Sequence, residues 1–107
     1  GISKPTVLMM TLEKRYLVKA RIPGVDPEKM RVEVQNDKLY LFHDISVDNT
    51  YLYKETDQIP FNIGYVLIPF DVNIKKIKAQ YEDSELLISL PFNELAGGYN
   101  KNIDIEK

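Results

Sequence analysis

The chain contains no cysteine, one histidine, five glycines and six prolines in 107 residues. Without a thiol there is neither a disulfide framework nor a thiolate metal site. With His43 as the only imidazole, a zinc site would rest almost entirely on carboxylates. No apolar run approaches the length of a membrane-spanning helix, and no secretory signal pattern is present. Charge of one sign is not in excess either. A net charge of −2 and an isoelectric point near 5.4 leave no electrostatic footprint for nucleic acid or an anionic membrane surface. The chain opens at Gly1 rather than a methionine, which fits the loss of some native N-terminal sequence, and the expected location is cytoplasmic.

What is present is an ordinary globular balance, with 44% hydrophobic and 28% charged residues, enough for one domain with its own core. Two stretches share one plan. The first runs Ile22-Pro23-Gly24-Val25-Asp26-Pro27-Glu28-Lys29, then Met30, Val32 and Val34 alternating with polar residues, then Asn36-Asp37 and Leu39-Tyr40-Leu41. The second runs Ile68-Pro69-Phe70-Asp71-Val72-Asn73, then Ile77, Ala79 and Tyr81 in alternation, then Asp83-Ser84 and Leu86-Leu87-Ile88. A period of two marks strands with one face in a core, so each stretch predicts a strand, a tight turn and a second strand. Asp26 before Pro27 predicts one helical turn, and residues 73–76 predict another. Residues 6–12 and 16–22 read as two further strands, and Tyr51-Leu52-Tyr53 as a short one. Pro60 and Gly64 interrupt the next stretch, leaving residues 65–68 as the strand that leads to Ile68-Pro69. About eight short strands with tight turns predict an all-β antiparallel sandwich. Residues 93–107 form a flexible extension containing Gly97-Gly98 and ending in Ile103-Asp104-Ile105.

The catalytic inventory is nearly empty. His43 falls at the end of a predicted strand, on the side of Leu39 and Leu41, and reads as a rim or turn residue rather than a general base. Asp44, Asp48 and Asp57 lack the alternate spacing and central glycine of a calcium loop. Gly97-Gly98 precedes no helix start and so makes no phosphate cradle. Most of the seven tyrosines fall on strands, and the acidic balance opposes single-strand nucleic-acid binding. No cofactor is expected, and an enzyme is the least supported class.

Together, Tyr16-Leu17-Val18-Lys19-Ala20-Arg21-Ile22-Pro23-Gly24-Val25, Met30-Arg31-Val32-Glu33-Val34, and residues 77–81 with 86–91 resemble the alpha-crystallin domain of small heat-shock proteins. The resemblance covers about residues 6–92 and implies an immunoglobulin-like antiparallel β-sandwich there, and an ATP-independent holdase that binds partly unfolded client proteins. It also implies a homodimer that assembles into larger homo-oligomers. Many members end in an Ile-x-Ile or Ile-x-Val tripeptide that docks between two strands of a neighbouring subunit, and Ile103 and Ile105 have that form. Alternate residues of an extended segment point the same way, so both isoleucines can enter adjacent pockets while Asp104 faces water. By the resemblance the receiving groove lies between residues 30–35 and 77–81. It would be lined by Val32, Val34 and Ala79, with Leu87 or Tyr81 beside them.

The resemblance further implies that residues 51–55 cross to the partner's first strand, so that Val7, Met9, Tyr51, Leu52 and Tyr53 are dimer contacts. Three departures stand out. Ser84-Glu85-Leu86 replaces the usual Gly-Val-Leu, Ile63-Gly64 carries one extra residue of spacing, and the segment between Phe42 and Tyr51 is short. These leave a second reading open, a monomeric CS-domain-like co-chaperone or adaptor module.

Overall fold

Among the described residues, seven strands account for the alternating segments: β1 (Thr6–Thr11), β2 (Arg15–Arg21), β3 (Met30–Gln35), β4 (Lys38–Asp48), β5 (Thr56–Leu67), β6 (Lys78–Glu82) and β7 (Glu85–Pro91). The computed structural model of the chain describes residues 6–48, 56–98 and 101–107. One sheet has four strands in the order β1-β2-β7-β6, the other three in the order β3-β4-β5, and every pairing is antiparallel. The inward positions of the two sheets meet in a single apolar cluster. Val18, Ala20, Leu86, Ile88 and Leu90 come from the larger sheet, and Leu39, Leu41 and Ile63 from the smaller. This is the sandwich that the period-two pattern predicts.

Turn chemistry fixes the registers. The Asp26 side chain accepts from the backbone N–H of Glu28 and caps a single 3-10 turn over Pro27–Lys29. A second such turn spans Ile74–Lys76. Asn36 takes φ 56° between β3 and β4, where Gln35 faces Lys38. Asp83 and Ser84 both have positive φ, 50° and 65°, so the glycine-free turn between β6 and β7 keeps the hairpin twist at a conformational cost to both residues.

Two expectations are corrected in the smaller sheet. Pro60 and Gly64 do not interrupt a strand. They lie inside β5, which pairs with β4 along its whole length. β5 is an edge strand, where a proline's missing donor is tolerated. The register also shifts between Leu41 and Phe42, since Leu41 faces Gly64 while Phe42 faces Asn62. Ile63 is the extra residue of this bulge and buries its side chain, while Gly64 brings none to its place opposite Leu41. The Asn62 carboxamide oxygen accepts from the Gly64 N–H at 2.9 Å and holds the bend. The additional residue of spacing around Ile63-Gly64 is thus absorbed locally.

His43 is the second correction. It is neither at a rim nor in a turn, because β4 continues to Asp48 and His43 is 7% exposed within it. Its Nε2 accepts from the Asp26 N–H at 3.1 Å and ties the capped turn to β4, while Nδ1 is buried with no partner.

Candidate docking groove

The sheets differ in strand number, and the mismatch leaves a slot. β6 and β3 are both edge strands. In β6, Ala79 faces Ile88 and Tyr81 faces Leu86, so both point to the interior side of the sandwich. In β3, Met30, Val32 and Val34 face His43, Leu41 and Leu39 and share the same inward phase. Ala79 is nevertheless exposed, Tyr81 and Val32 are half-buried, and Val34 is 38% exposed. Inward-pointing side chains that remain accessible define an opening between the sheets.

That opening is a cleft of about 280 Å³ lined by Pro27, Met30, Val32, Ala79, Tyr81 and Leu86, with Gln80 at its margin. At water's share of about 30 Å³ per small group, it has room for a pair of aliphatic side chains. The structure therefore brings Val32, Ala79 and Tyr81 together, with Val34 further along β3. Leu87 is corrected. It faces Gln80 and Lys19 and lies on the opposite surface of the sheet, beside Arg15, Leu17 and Ser89. Pro27, Met30 and Leu86 are lining residues that the sequence reading did not single out, although Met30 has the parity of Val32.

Residues 101–107 have no regular structure and are exposed throughout, with Ile103 at 81% and Ile105 at 84%. The extension leaves the domain at a fixed point. Phe92 bridges to Val72 and packs edge-on against Tyr16 at 5.1 Å. The Asn93 carboxamide donates to the carbonyls of Phe70 and Val72. The Tyr16 hydroxyl donates to both carboxylate oxygens of the buried Asp71, at 3.0 and 3.1 Å. Desolvation, the Asp71 hydrogen bond and the Asp71 charge all raise the Tyr16 pKa above its ordinary value of 10.0. From Asn93 to Ile103 an extended chain spans at most about 33–36 Å. The turns closed by Leu95, Ala96 and Gly98 shorten that reach.

Of the expected dimer contacts, Val7 packs against the core and Met9 is 39% exposed, both on β1, an edge of the larger sheet. Tyr51, Leu52 and Tyr53 lie outside the described residues. Among the described residues no group of three or more His, Asp or Glu side chains gathers as metal ligands. Among them, too, no helix is long and apolar enough to cross a membrane.

Among the described residues the architecture is an immunoglobulin-like sandwich of a four-stranded and a three-stranded sheet, open along one inter-sheet edge. The signature of the Hsp20/alpha crystallin family matches residues 8–106, and the chain belongs to that family. It is 26% identical over 98 residues to small heat shock protein C3 of Rickettsia felis, covering 91% of this chain and 50% of that one. It is 27% identical over 95 residues to the 18.1 kDa class I heat shock protein of Pisum sativum, covering 84% and 60%. The chain thus spans only half to three-fifths of the length of these relatives.

Among solved structures, heat shock protein 16.0 from Schizosaccharomyces pombe superposes with a TM-score of 0.65 at 21% identity, covering 97% of this chain and 99% of that one. A small heat-shock protein from Xylella fastidiosa gives 0.65 at 18% identity, covering 96% of each chain. These two likenesses concern the fold.

Proposed function

We propose that the chain is the sandwich and tail of an ATP-independent chaperone, a holdase that binds partly unfolded proteins and prevents their aggregation. The observation that carries this reading is the coexistence, in a member of this family, of an open apolar groove and an exposed Ile103/Ile105 tail. The sandwich comprises residues 6–92 and the extension residues 93–107. In this reading Ile103 and Ile105 enter the groove beside Val32, Val34, Ala79 and Tyr81 of another subunit. The homodimer beneath that assembly uses Val7 and Met9 on β1 and the segment carrying Tyr51, Leu52 and Tyr53. Clients are held by apolar contact in the cytoplasm, with no catalysis, cofactor, metal, nucleic acid or membrane. The Xylella fastidiosa relative has a distinct high order structure, which supports an assembling reading over a monomeric adaptor.

The test is light-scattering mass together with suppression of heat-induced aggregation of a client enzyme, for the chain and for Ile103→Ala/Ile105→Ala. A dimer or larger species whose mass falls in the double variant, and which delays client aggregation, is the expected result. A monomer in both cases with no protection of the client rejects the reading.

A further inference from the structure

The docking tripeptide is a palindrome. Ile103 and Ile105 are identical and flank one residue, so two apolar pockets accept it in either chain direction. Direction must come from the residues around it, and those are asymmetric in charge. The segment reads Lys101-Asn102-Ile103-Asp104-Ile105-Glu106-Lys107. The β6 edge is asymmetric as well. Lys75, Lys76 and Lys78 stand at its start, and Glu82, Asp83 and Glu85 at its end. The facing edge offers little net charge, because Arg31 on β3 is already paired with Glu33 at 3.5 Å and Asp44 at 3.2 Å.

We infer that the tail docks antiparallel to β6 and that this direction is selected by charge along the groove's rim. The inference rests on the docking reading above and assigns Lys78, Glu82, Lys101 and Glu106 as its specificity determinants. With Ile105 opposite Ala79 and Ile103 opposite Tyr81, Asp104 falls opposite Gln80 and Glu106 opposite Lys78. Residues 104 and 106 then share the outward face of the sheet with Lys78 and Gln80. Lys101 comes opposite Asp83, and Asn102 opposite Glu82. The parallel alternative sets Ile103 opposite Ala79, which forces Glu106 against Glu82 and Lys101 toward Lys76. Its one favourable pair is Lys107 with Asp83. In the antiparallel arrangement the one unfavourable neighbour is Lys107 near Lys76. Like charges directly opposite on a strand pair destabilise it and opposite charges support it. The pairs lie well within the roughly 8–10 Å over which physiological salt leaves charges coupled.

Because the chain has no native cysteine, paired thiols report the direction cleanly. Asn73 and Ser84 bracket β6, and the Asn73 side chain caps nothing, so Asn73→Cys and Ser84→Cys leave the rim charges in place. Each is combined in the full chain with Asn102→Cys or Lys107→Cys and treated with a short bismaleimide, and crosslinked peptides are identified by mass. The antiparallel direction gives 102–84 and 107–73 links in about two- to tenfold excess over 102–73 and 107–84, the range exposed ion pairs support. Exchanging the tail charges (Lys101→Glu with Glu106→Lys) reverses the pattern, and high salt levels it. Equal yields of all four links, or an excess of 102–73 and 107–84, overturn the inference while leaving docking intact. A pattern unmoved by the charge exchange removes charge as the selector. Absence of all four links, with a solution mass indifferent to Ile103→Ala/Ile105→Ala, instead overturns docking itself.

Discussion

Ala79→Trp is the most informative single substitution in the domain. Ala79 points to the interior side of the sandwich yet is exposed, because β6 is an edge strand and the cleft of about 280 Å³ lies in front of it. An indole there is expected to fill the cleft from within and to leave in place the buried Ile88 and Leu86 beneath it. Burying each isoleucine is worth about 1.5–3 kcal/mol, and ordering each side chain costs about 0.5–1.5 kcal/mol. Both isoleucines start more than four-fifths exposed, so nearly the whole transfer gain is available to docking. The net for the pair is about 2–3 kcal/mol, or roughly 30- to 150-fold in affinity. The assay is anisotropy of a labelled peptide of residues 101–107, added to the full chain carrying Ile103→Ala/Ile105→Ala so that its own tail is silent. Thermal unfolding is followed in parallel. Ala79→Trp is expected to abolish peptide binding while leaving the melting temperature within a few degrees. Undiminished binding with Trp in the cleft refutes the groove. Loss of the fold refutes the claim that Ala79 stands outside the close-packed core.

Tyr16→Phe removes the hydroxyl that both oxygens of buried Asp71 accept from, and is expected to cost about 1–3 kcal/mol in urea unfolding. The same pair sets an alkaline limit. The folded-state pKa of Tyr16 is raised, so the stability it contributes is fully present below pH 10 and is lost as pH climbs through the raised value. Unfolding titrations between about pH 8 and 11.5 should show this decline in the parent and its absence in Tyr16→Phe. Ser84→Gly relieves one positive-φ residue in the turn between β6 and β7, and is expected to stabilise by up to about 1 kcal/mol in the same assay. A destabilised glycine variant would mean that Ser84 is not strained.

Much of this architecture is legible wherever one face of a strand is polar. Val18 and Ala20 alternate with Lys19 and Arg21, and Val32 with Arg31 and Glu33. The turns at Asn36-Asp37 and Asp83-Ser84 then set registers that agree with the alternation. What stays hidden depends on pairing partners at a distance. Leu86-Leu87-Ile88 taken alone is apolar on both faces, and only Glu85 and Ser89 at its ends mark the Leu87 face as the outer one. The pairing with Val18 and Ala20 fixes the same assignment. Pro60 and Gly64 are strand breakers locally, but an edge position removes the proline's penalty and a bulge uses the glycine. The burial of His43 follows from β4 running on to Asp48, a length that five residues of alternation could not announce. The groove itself is a product of strand count. Where the edge strands β6 and β3 of the two sheets meet, the inward-facing Ala79 looks across a cleft to Met30 and Val32 rather than into a closed core.

That incompleteness limits the strength of the docking proposed above. A net of about 2–3 kcal/mol corresponds to a dissociation constant of several to tens of millimolar for one tail in one groove. In the proposed assembly a short tether holds the tail of an adjacent subunit at an effective concentration in the millimolar range. The two quantities lie within about an order of magnitude, so in that assembly a given groove alternates between filled and empty. A tighter tripeptide would seal the cleft against other apolar segments, and a looser one would leave assembly to the dimer alone. The same balance makes the rim charges count. Where apolar docking is nearly poised, a two- to tenfold bias from exposed ion pairs moves occupancy across its midpoint. The prediction that separates this from tight docking is kinetic. Subunits labelled with donor and acceptor dyes should exchange within minutes and faster in Lys78→Glu, whereas exchange indifferent to that charge would mean that the tail is not what limits it.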